Sequence, residues 1–295
     1  MTIDAEPVST VLHSPGLVGR SVSAFASLSR SPAATIGLAL ILFWILVAIL
    51  APWIAPYSPT ANNWGALANL RPSAAHWLGT DMMGRDLVSR IMYGARTVLL
   101  VAPIATFGAL ILGSFFGLVA GYRGGWINGV VSRVCDILLS FPVIILYLII
   151  LANFGPSALN IILVITITKA PIIARIVRGV ALEIREREYV KAARLRGESP
   201  WYIMFAEILP NARGPLIVEA CLRMGYTTIA IGALGFLGVG LPPPTPDWGG
   251  MVREAYGMLT VFPHMPLVPA VAISSLVIGF NLLATGLREL SLESR

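Results

Sequence analysis

The chain has 295 residues, of which 56% are hydrophobic and 12% are charged, and its formal net charge is +6. Soluble domains carry about 25% charged residues, so this composition excludes a water-soluble globular protein. The basic residues flank apolar segments and do not form a separate domain with stacking aromatic side chains. Membrane topology therefore explains the positive charge better than nucleic-acid binding does.

Six apolar segments follow a Ser- and Ala-rich arm that covers residues 1–32. The arm has few large apolar side chains, so we expect it to be mobile or to rest on the membrane surface. Each apolar segment is long enough to cross a hydrocarbon core of about 30 Å, and a backbone in lipid must satisfy its own hydrogen bonds, which predicts an all-α membrane protein. The predicted spans are Ala33–Ala55, Thr97–Gly121, Val130–Asn153, Ala158–Val177, Pro215–Gly240 and Met265–Leu287.

The distribution of charge predicts the orientation of these spans. Residues 169–213 contain nine basic and five acidic side chains, and basic loops are retained in the cytoplasm. An even number of spans then places both termini in the cytoplasm, including a tail at residues 289–295. Residues 33–96 comprise the first span and an external loop, although that loop carries four arginines. Residues 97–288 form the five-span core.

A polar, amphipathic segment, residues 182–211, separates the fourth span from the fifth. Strong helix formers run through residues 184–196, and Gly197 suits a left-handed cap that ends this first helix. Ser199 is a good N-cap for a second helix, which is expected to end near Pro210. The pattern predicts a helix-turn-helix on the membrane surface.

This hairpin has two interpretations from its residues alone. Ala192 and Ala193 would let another backbone approach closely, and four apolar side chains would anchor a partner protein, namely Tyr189, Leu195, Trp201 and Phe205. An amphipathic hairpin that only rests on lipid has the same pattern. The residues leave both interpretations open.

Four stretches of the chain resemble one family of membrane proteins. Lys191-Ala192-Ala193, Gly197 and Leu209-Pro210 have the spacing of the EAA loop of ATP-binding-cassette (ABC) importer permeases, although Lys191 stands where the family has Glu. Three further stretches, which together with the loop are spread in the right order from residue 78 to residue 249, resemble permeases of dipeptide and oligopeptide importers: residues 78–90, 136–142 and 236–249. The chain resembles the C-type permease subunit of that branch.

The resemblance implies a type I ABC importer permease fold, with six transmembrane helices and a cytoplasmic coupling-helix hairpin. It also implies a bacterial inner-membrane protein that works with a second homologous permease, two ABC ATPase subunits, an extracytoplasmic solute-binding protein and membrane lipid. Dipeptides or oligopeptides are the implied cargo, although importers of nickel and metal chelates, glutathione, opines and sugars are similar. The residues implied in ATPase coupling are Lys191, Ala192, Ala193, Gly197, Ser199, Pro200, Trp201, Leu209 and Pro210.

The sequence carries no recognisable catalytic or metal-binding pattern. Its only lysines, Lys169 and Lys191, do not follow glycine, so the phosphate-binding pattern G-x-x-x-x-G-K-[ST] is absent. We therefore expect ATP and Mg²⁺ to be used by partner subunits, with no cofactor bound by this chain. The histidines are scattered, which predicts no metal site and leaves Ser114, in the second span, without the base that an intramembrane protease needs.

Three charged side chains inside predicted spans are candidates for the transport pathway. Glu219 and Arg223 are one helical turn apart, which favours a mutually neutralised pair over direct contact with substrate. Lys169 lies deeper and either lines the pathway or extends its stem towards the inner surface. A rival hypothesis, an ion-coupled secondary transporter, would use such groups as a relay, whereas a non-transporting scaffold would need only its hairpin.

The loop after the fifth span is rich in proline and should be stiff. Leu241–Pro246 favours an extended backbone that would hold the following turn away from the bilayer. Pro244, Asp247 and Trp248 then form either a docking lip for a binding protein or a rigid connector with an interfacial tryptophan.

A second external segment, residues 79–90, matches the family but no known reaction needs its pattern. Thr80 or Asp81 is expected to cap the following helix. Arg85 and Arg90 are expected to meet lipid headgroups or a partner. The segment predicts a structural role.

Overall fold

The computed structural model describes residues 31–65 and 70–293, and in those ranges the chain is built from helices and loops. The predicted N-terminal arm therefore lies outside the described residues except for its last two. In chain order the α-helices are α1 (Pro32–Ile54), α2 (Leu87–Arg123), α3 (Gly125–Ser140), α4 (Val143–Phe154), α5 (Ala158–Ile184), α6 (Glu188–Leu195), α7 (Pro200–Tyr202), α8 (Leu209–Asn211), α9 (Arg213–Leu237), α10 (Trp248–Ala255) and α11 (His264–Glu293).

Within the described residues, α1, α2, α5, α9 and α11 are each long and apolar enough to cross a membrane. The helices α3 and α4 pass the same test only as a pair, and they are bent by 84° at a short break. All six predicted spans fall on these helices, so the all-α membrane fold is confirmed.

The third predicted span is not one helix, which corrects the prediction for Val130–Asn153. The break falls at Phe141-Pro142, where Phe141 has an extended backbone with φ −83° and ψ 140°. A proline disfavours the helical conformation of the residue before it, and Pro142 also lacks the N–H that an uninterrupted helix would use. The apolar composition continues across the break, so hydrophobicity alone does not reveal it.

The second, fourth and sixth spans are longer than predicted, and in the sixth the helix continues past Leu287 to Glu293. The second span begins at Leu87 and not at Thr97, since the carboxylate of Asp86 caps the helix by accepting a hydrogen bond of 2.8 Å from the N–H of Ser89. The fourth span continues past Val177 to Ile184. In the extension of α2, Ser89 and Arg90 are buried.

Close contact between α2 and α5 depends on glycine. A β-carbon at Gly113 would lie 2.7 Å from the carbonyl oxygen of Ala170, and one at Gly117 would lie 2.6 Å from that of Ala174. Helices in membranes associate through small residues that let their backbones approach. The glycines, four residues apart on one face of α2, therefore fix α2 against α5.

Two apolar cores organise the bundle. The first contains Trp44, Leu87, Leu151, Trp248 and Leu276, which come from α1, α2, α4, α10 and α11. The second joins the C-terminal halves of α2 and α5 to the segment between α5 and α9. We call the end of the bundle with that segment the hairpin end, and the end with α10 the opposite end.

Candidate functional site

The turn between α6 and the next helix is a complete left-handed cap. Gly197 has φ +77°, its N–H donates to the carbonyl of Arg194 at 3.0 Å, and the N–H of Glu198 donates to the carbonyl of Ala193 at 3.2 Å. These two bonds are the pair that defines a Schellman motif. The predicted cap at Gly197 is thus confirmed, although α6 starts at Glu188 and not near residue 184, because α5 extends to Ile184.

The second helix of the hairpin begins as predicted and ends at Asn211, one residue after Pro210. The hydroxyl of Ser199 accepts a hydrogen bond of 3.2 Å from the N–H of Tyr202, and Pro200 occupies the first turn. A π-helix, Ile203–Ile208, then leads into α8, which contains Pro210. The wider π turn absorbs the irregularity, so Pro210 falls in the first turn of a new α-helical segment, where its missing N–H is not needed.

One face of the hairpin is fixed to the transmembrane helices. Val190 and Ala193 of α6 and Ile203, Met204 and Ile208 of the π-helix are buried in the second core. They pack with Leu118, Ile173, Val177 and Ala181 of α2 and α5. The expectation that Ala193 receives a partner's backbone is therefore wrong, since this residue is buried within the chain.

The other face of the hairpin is exposed and apolar. Leu195 is 90% exposed, and Tyr189, Trp201 and Phe205 are each exposed by 39% or more. We call these four residues the hairpin surface. Exposed apolar side chains that cluster next to polar groups are typical of protein interaction sites. Among the coupling residues named above, Lys191, Ala192, Gly197, Ser199, Pro200 and Pro210 are also exposed, and Leu209 is half-buried.

Trp201 connects the hairpin surface to α2. Its ring lies nearly parallel to the rings of Phe115 and Phe205, with centroids 6.2 and 6.1 Å away. The guanidinium of Arg123, at the end of α2, lies 5.6 Å from the centroid of the same ring. These contacts hold the exposed tryptophan in one place, so a protein that binds it would also engage α2.

The opposite end holds an ion network, buried except at Glu254, that sequence reasoning missed. Arg85 donates to Asp81 at 2.6 Å and to Glu254 at 2.7 Å, and Arg90 pairs with the same two carboxylates, with 2.8 Å to Glu254. Arg85 and Arg90 are buried, so they do not face lipid headgroups as expected. The network ties the loop before α2 to α10. The cap of α2 is Asp86 and not Thr80 or Asp81.

Asp247 and Trp248 are also buried, so these two residues do not form the predicted docking lip and Trp248 is not an interfacial tryptophan. Trp248 has no exposed surface, and its indole N–H donates to the carbonyl of Ile91 at 3.0 Å. Asp247 caps α10 by accepting from the N–H of Gly249, and its burial raises the pKa of the carboxyl from 3.8 to about 6. Pro244 remains exposed.

The charged side chains of the spans have different environments. Glu219 and Arg223 form an ion pair within α9, as their spacing favours. Asp136 of α3 and Arg175 of α5 form a second pair, and each side chain is about half exposed. Lys169 lines a cavity of about 210 Å³ between α4, α5 and α9. Among residues 31–65 and 70–293, no group of three His, Cys, Asp or Glu side chains is placed to hold a metal ion.

Two family models match the chain. Residues 113–292 match the family described as binding-protein-dependent transport system inner membrane component. Residues 21–72 match the N-terminal transmembrane domain of oligopeptide transport permease C. The first match covers α3 to α10 completely, with the hairpin, and all of α11 except its last residue.

Curated proteins show the same relationship. The chain is 42% identical to the dipeptide transport system permease protein of Alkalihalophilus pseudofirmus over 266 residues, which are 90% of this chain and 87% of the relative. It is 37% identical to the glutathione transport system permease protein of Pectobacterium atrosepticum, over 84% of this chain and 83% of the relative. It is 40% identical to the glutathione transport system permease protein of Escherichia coli O6:K15:H31, over 84% of this chain and 82% of the relative. This chain therefore belongs to the binding-protein-dependent transport system inner membrane component family and is a permease component of an ABC importer.

Proposed function

We propose that this permease imports dipeptides or oligopeptides and that its hairpin surface transmits ATP-driven motion to the transmembrane helices. The hairpin carries the proposal: one face is exposed and apolar, while the other is buried against α2 and α5. A protein that pulls on Leu195 and Trp201 would move both helices, because the buried face leaves little room for independent movement.

The peptide class rests on the relatives. One is a dipeptide permease and two are glutathione permeases, and glutathione is itself a modified tripeptide. Compounds of this class share a carboxylate, a peptide bond and small size. We propose cargo with these features, and the choice among individual peptides would be made mainly by the solute-binding protein.

The proposed assembly has this chain beside a second, unlike permease, with two ATPase subunits at the hairpin end. ATP and Mg²⁺ are used by those subunits. The excess of basic residues in and around the hairpin orients it to the cytoplasm, with both termini on that side. The opposite end then faces the solute-binding protein, and the exposed Pro244 lies in the loop best placed to meet it.

The proposed cycle is alternating access. Closure of the ATPase pair on ATP moves the residues around Lys191 and Gly197 as a lever, and α2 and α5 follow because α6 and the π-helix are packed against them. Each ligand shifts the cycle only through its different affinity for the two states.

A cross-linking experiment on the native complex tests the coupling assignment. A photoreactive residue at Leu195, which is 90% exposed, should cross-link to an ATPase subunit when the tagged complex is isolated in mild detergent. The matched control is the same residue at Leu259, which is 43% exposed and follows α10 at the opposite end. ATPase adducts at Leu195 and none at Leu259 are expected. Adducts to lipid alone at Leu195, in a complex that still contains the ATPase, would contradict the proposal.

A further inference from the structure

Lys169 is an unneutralised cation near the middle of a membrane span. It lies 11 residues after the start of α5 and 15 before its end, which at about 1.5 Å per residue is roughly 16 and 22 Å from the two ends. The side chain is half-buried, and the structure gives it no hydrogen-bond or ion-pair partner among residues 31–65 and 70–293. Its electrostatic neighbour is Arg223, a like charge.

At this depth, contact between the Lys169 ammonium group and lipid is unfavourable. An ion near the centre of a bilayer is costly unless it pairs or meets water. The four-carbon stem of lysine is much shorter than the distance to either end of α5, so the ammonium group does not reach a membrane surface by extension alone. The charge therefore needs water or an anion at its own depth.

The cavity beside Lys169 has the shape and lining of a place where such an anion passes. Its volume is about 210 Å³, and Lys169 is the charged residue among its lining residues. The walls are mostly apolar, with Tyr147 from α4 and Tyr226 from α9, and Tyr226 is 50% exposed. Apolar walls with one cation match a peptide that carries small apolar side chains and one terminal carboxylate.

Other ionic groups also lie within the spans, and one of them is next to the cavity. Asp136 and Arg175 are paired yet about half exposed inside the spans, and Arg223 lies 5.7 Å from the ring centroid of Tyr226 at the cavity. Exposed charges within spans almost always face a bundle interior or a water-filled cavity. Arg223 therefore places a second charged group next to the cavity, where lipid would be unfavourable.

We propose that Lys169 lines the translocation pathway and attracts the carboxylate of a passing peptide. The inference rests on the proposed peptide import and adds a residue and a recognised group to it. Every peptide cargo brings an anion, which neutralises Lys169 as it passes and then leaves with the cargo. A fixed carboxylate on this chain would remove that attraction, and none pairs with Lys169 in the described part of the chain.

The test is uptake of charged peptides by the complete importer in proteoliposomes, with the binding protein saturated. The peptides are Ala-Glu, Ala-Gln and Ala-Lys, and the variants are Lys169→Arg, Lys169→Met and Lys169→Glu, with Ile229→Met as a control in the same cavity wall. Lys169→Arg should retain uptake within about twofold and Lys169→Met should lose at least about fivefold. Lys169→Glu should change the Ala-Glu to Ala-Lys uptake ratio by at least about tenfold, since it reverses the charge.

An Ala-Glu to Ala-Lys uptake ratio that Lys169→Glu leaves unchanged would overturn the proposal and assign Lys169 to packing or to a carboxylate of the partner permease. Normal uptake by Lys169→Met would overturn it as well.

If wild-type protein imports none of the peptides while its ATPase is active, the proposed peptide cargo is wrong, and the pathway position of Lys169 is tested separately. For that claim, Lys169→Cys, with Cys135 and Cys221 replaced by serine, should react with a water-soluble charged thiol reagent during turnover. No reaction in any state would refute a pathway position.

Discussion

Replacing Gly197 with valine tests whether the cap between the two hairpin helices is needed for coupling. Gly197 has φ +77°, where a β-branched side chain is strained, and a β-carbon at this position would meet no atom within 4 Å. The cost is therefore one of backbone conformation and not of collision. A left-handed conformation costs an L-residue roughly 1–2 kcal/mol, which changes the population of the capped hairpin by a factor of about 5–30.

Asparagine and alanine at the same position provide a graded series. Asparagine adopts the left-handed conformation more readily than other non-glycine residues, so Gly197→Asn should be the mildest change, followed by Gly197→Ala and then Gly197→Val. If the valine backbone leaves this conformation, the 3.0 and 3.2 Å bonds to Arg194 and Ala193 are lost, at about 1 kcal/mol each.

The assay is the number of peptides imported per ATP hydrolysed in proteoliposomes, with the amount of permease in the membrane measured in parallel. We expect the ratio to fall in the order Gly, Asn, Ala, Val at equal membrane content, because the cap lies outside the spans. A valine variant with the wild-type ratio would refute the coupling role of the cap. A fall in membrane content that parallels the fall in uptake would show that the cap serves folding instead.

Three further changes test the opposite end. Asp81→Asn removes a buried carboxylate shared by two guanidinium groups and should lower the folding stability by about 3–5 kcal/mol. The control Glu186→Gln, in an exposed pair, should lower it by less than about 1 kcal/mol. Equal melting temperatures of the two variants in detergent would contradict the ion network. Asp247→Asn removes an ionisation that burial disfavours. Because burial raises the pKa of this carboxyl from its ordinary 3.8 to about 6, the wild type loses about 3 kcal/mol of folding stability as the pH rises through that interval. The variant should lack this loss, so identical profiles of melting temperature against pH would count against it. Trp248→Ala should cost about 3–5 kcal/mol and Trp248→Phe clearly less, as measured by thermal unfolding; a neutral alanine variant would be inconsistent with a fully buried ring.

The sequence was sufficient for features that depend on local composition and capping. Apolar runs located all six spans, and the φ preference of glycine located the cap at Gly197. The N-cap at Ser199 was predictable for the same reason, since its hydroxyl bonds to a backbone N–H three residues away. The family resemblance then supplied the role of the hairpin.

Features that depend on distant parts of the chain were not predictable. Arg85 and Glu254 are 169 residues apart, so neither residue indicates on its own that it lies in a buried network. The burial of Trp248 was missed because it depends on a residue far away in the sequence. The indole ring packs against Gly94, where a β-carbon would lie 2.5 Å from the ring. The break at Pro142 was missed because it interrupts no apolar pattern. The π-helix depends on how the hairpin packs against α2 and α5, which its own residues do not specify.

Reconstituted transport is the most direct test of whether this permease carries peptides by using ATP hydrolysed at its hairpin end. The complete complex would be placed in proteoliposomes with the solute-binding protein outside and ATP inside, and uptake of a labelled dipeptide would be followed with and without an ion gradient. We expect uptake that requires ATP and the binding protein and does not change with the gradient. Uptake that follows the ion gradient without ATP would contradict it.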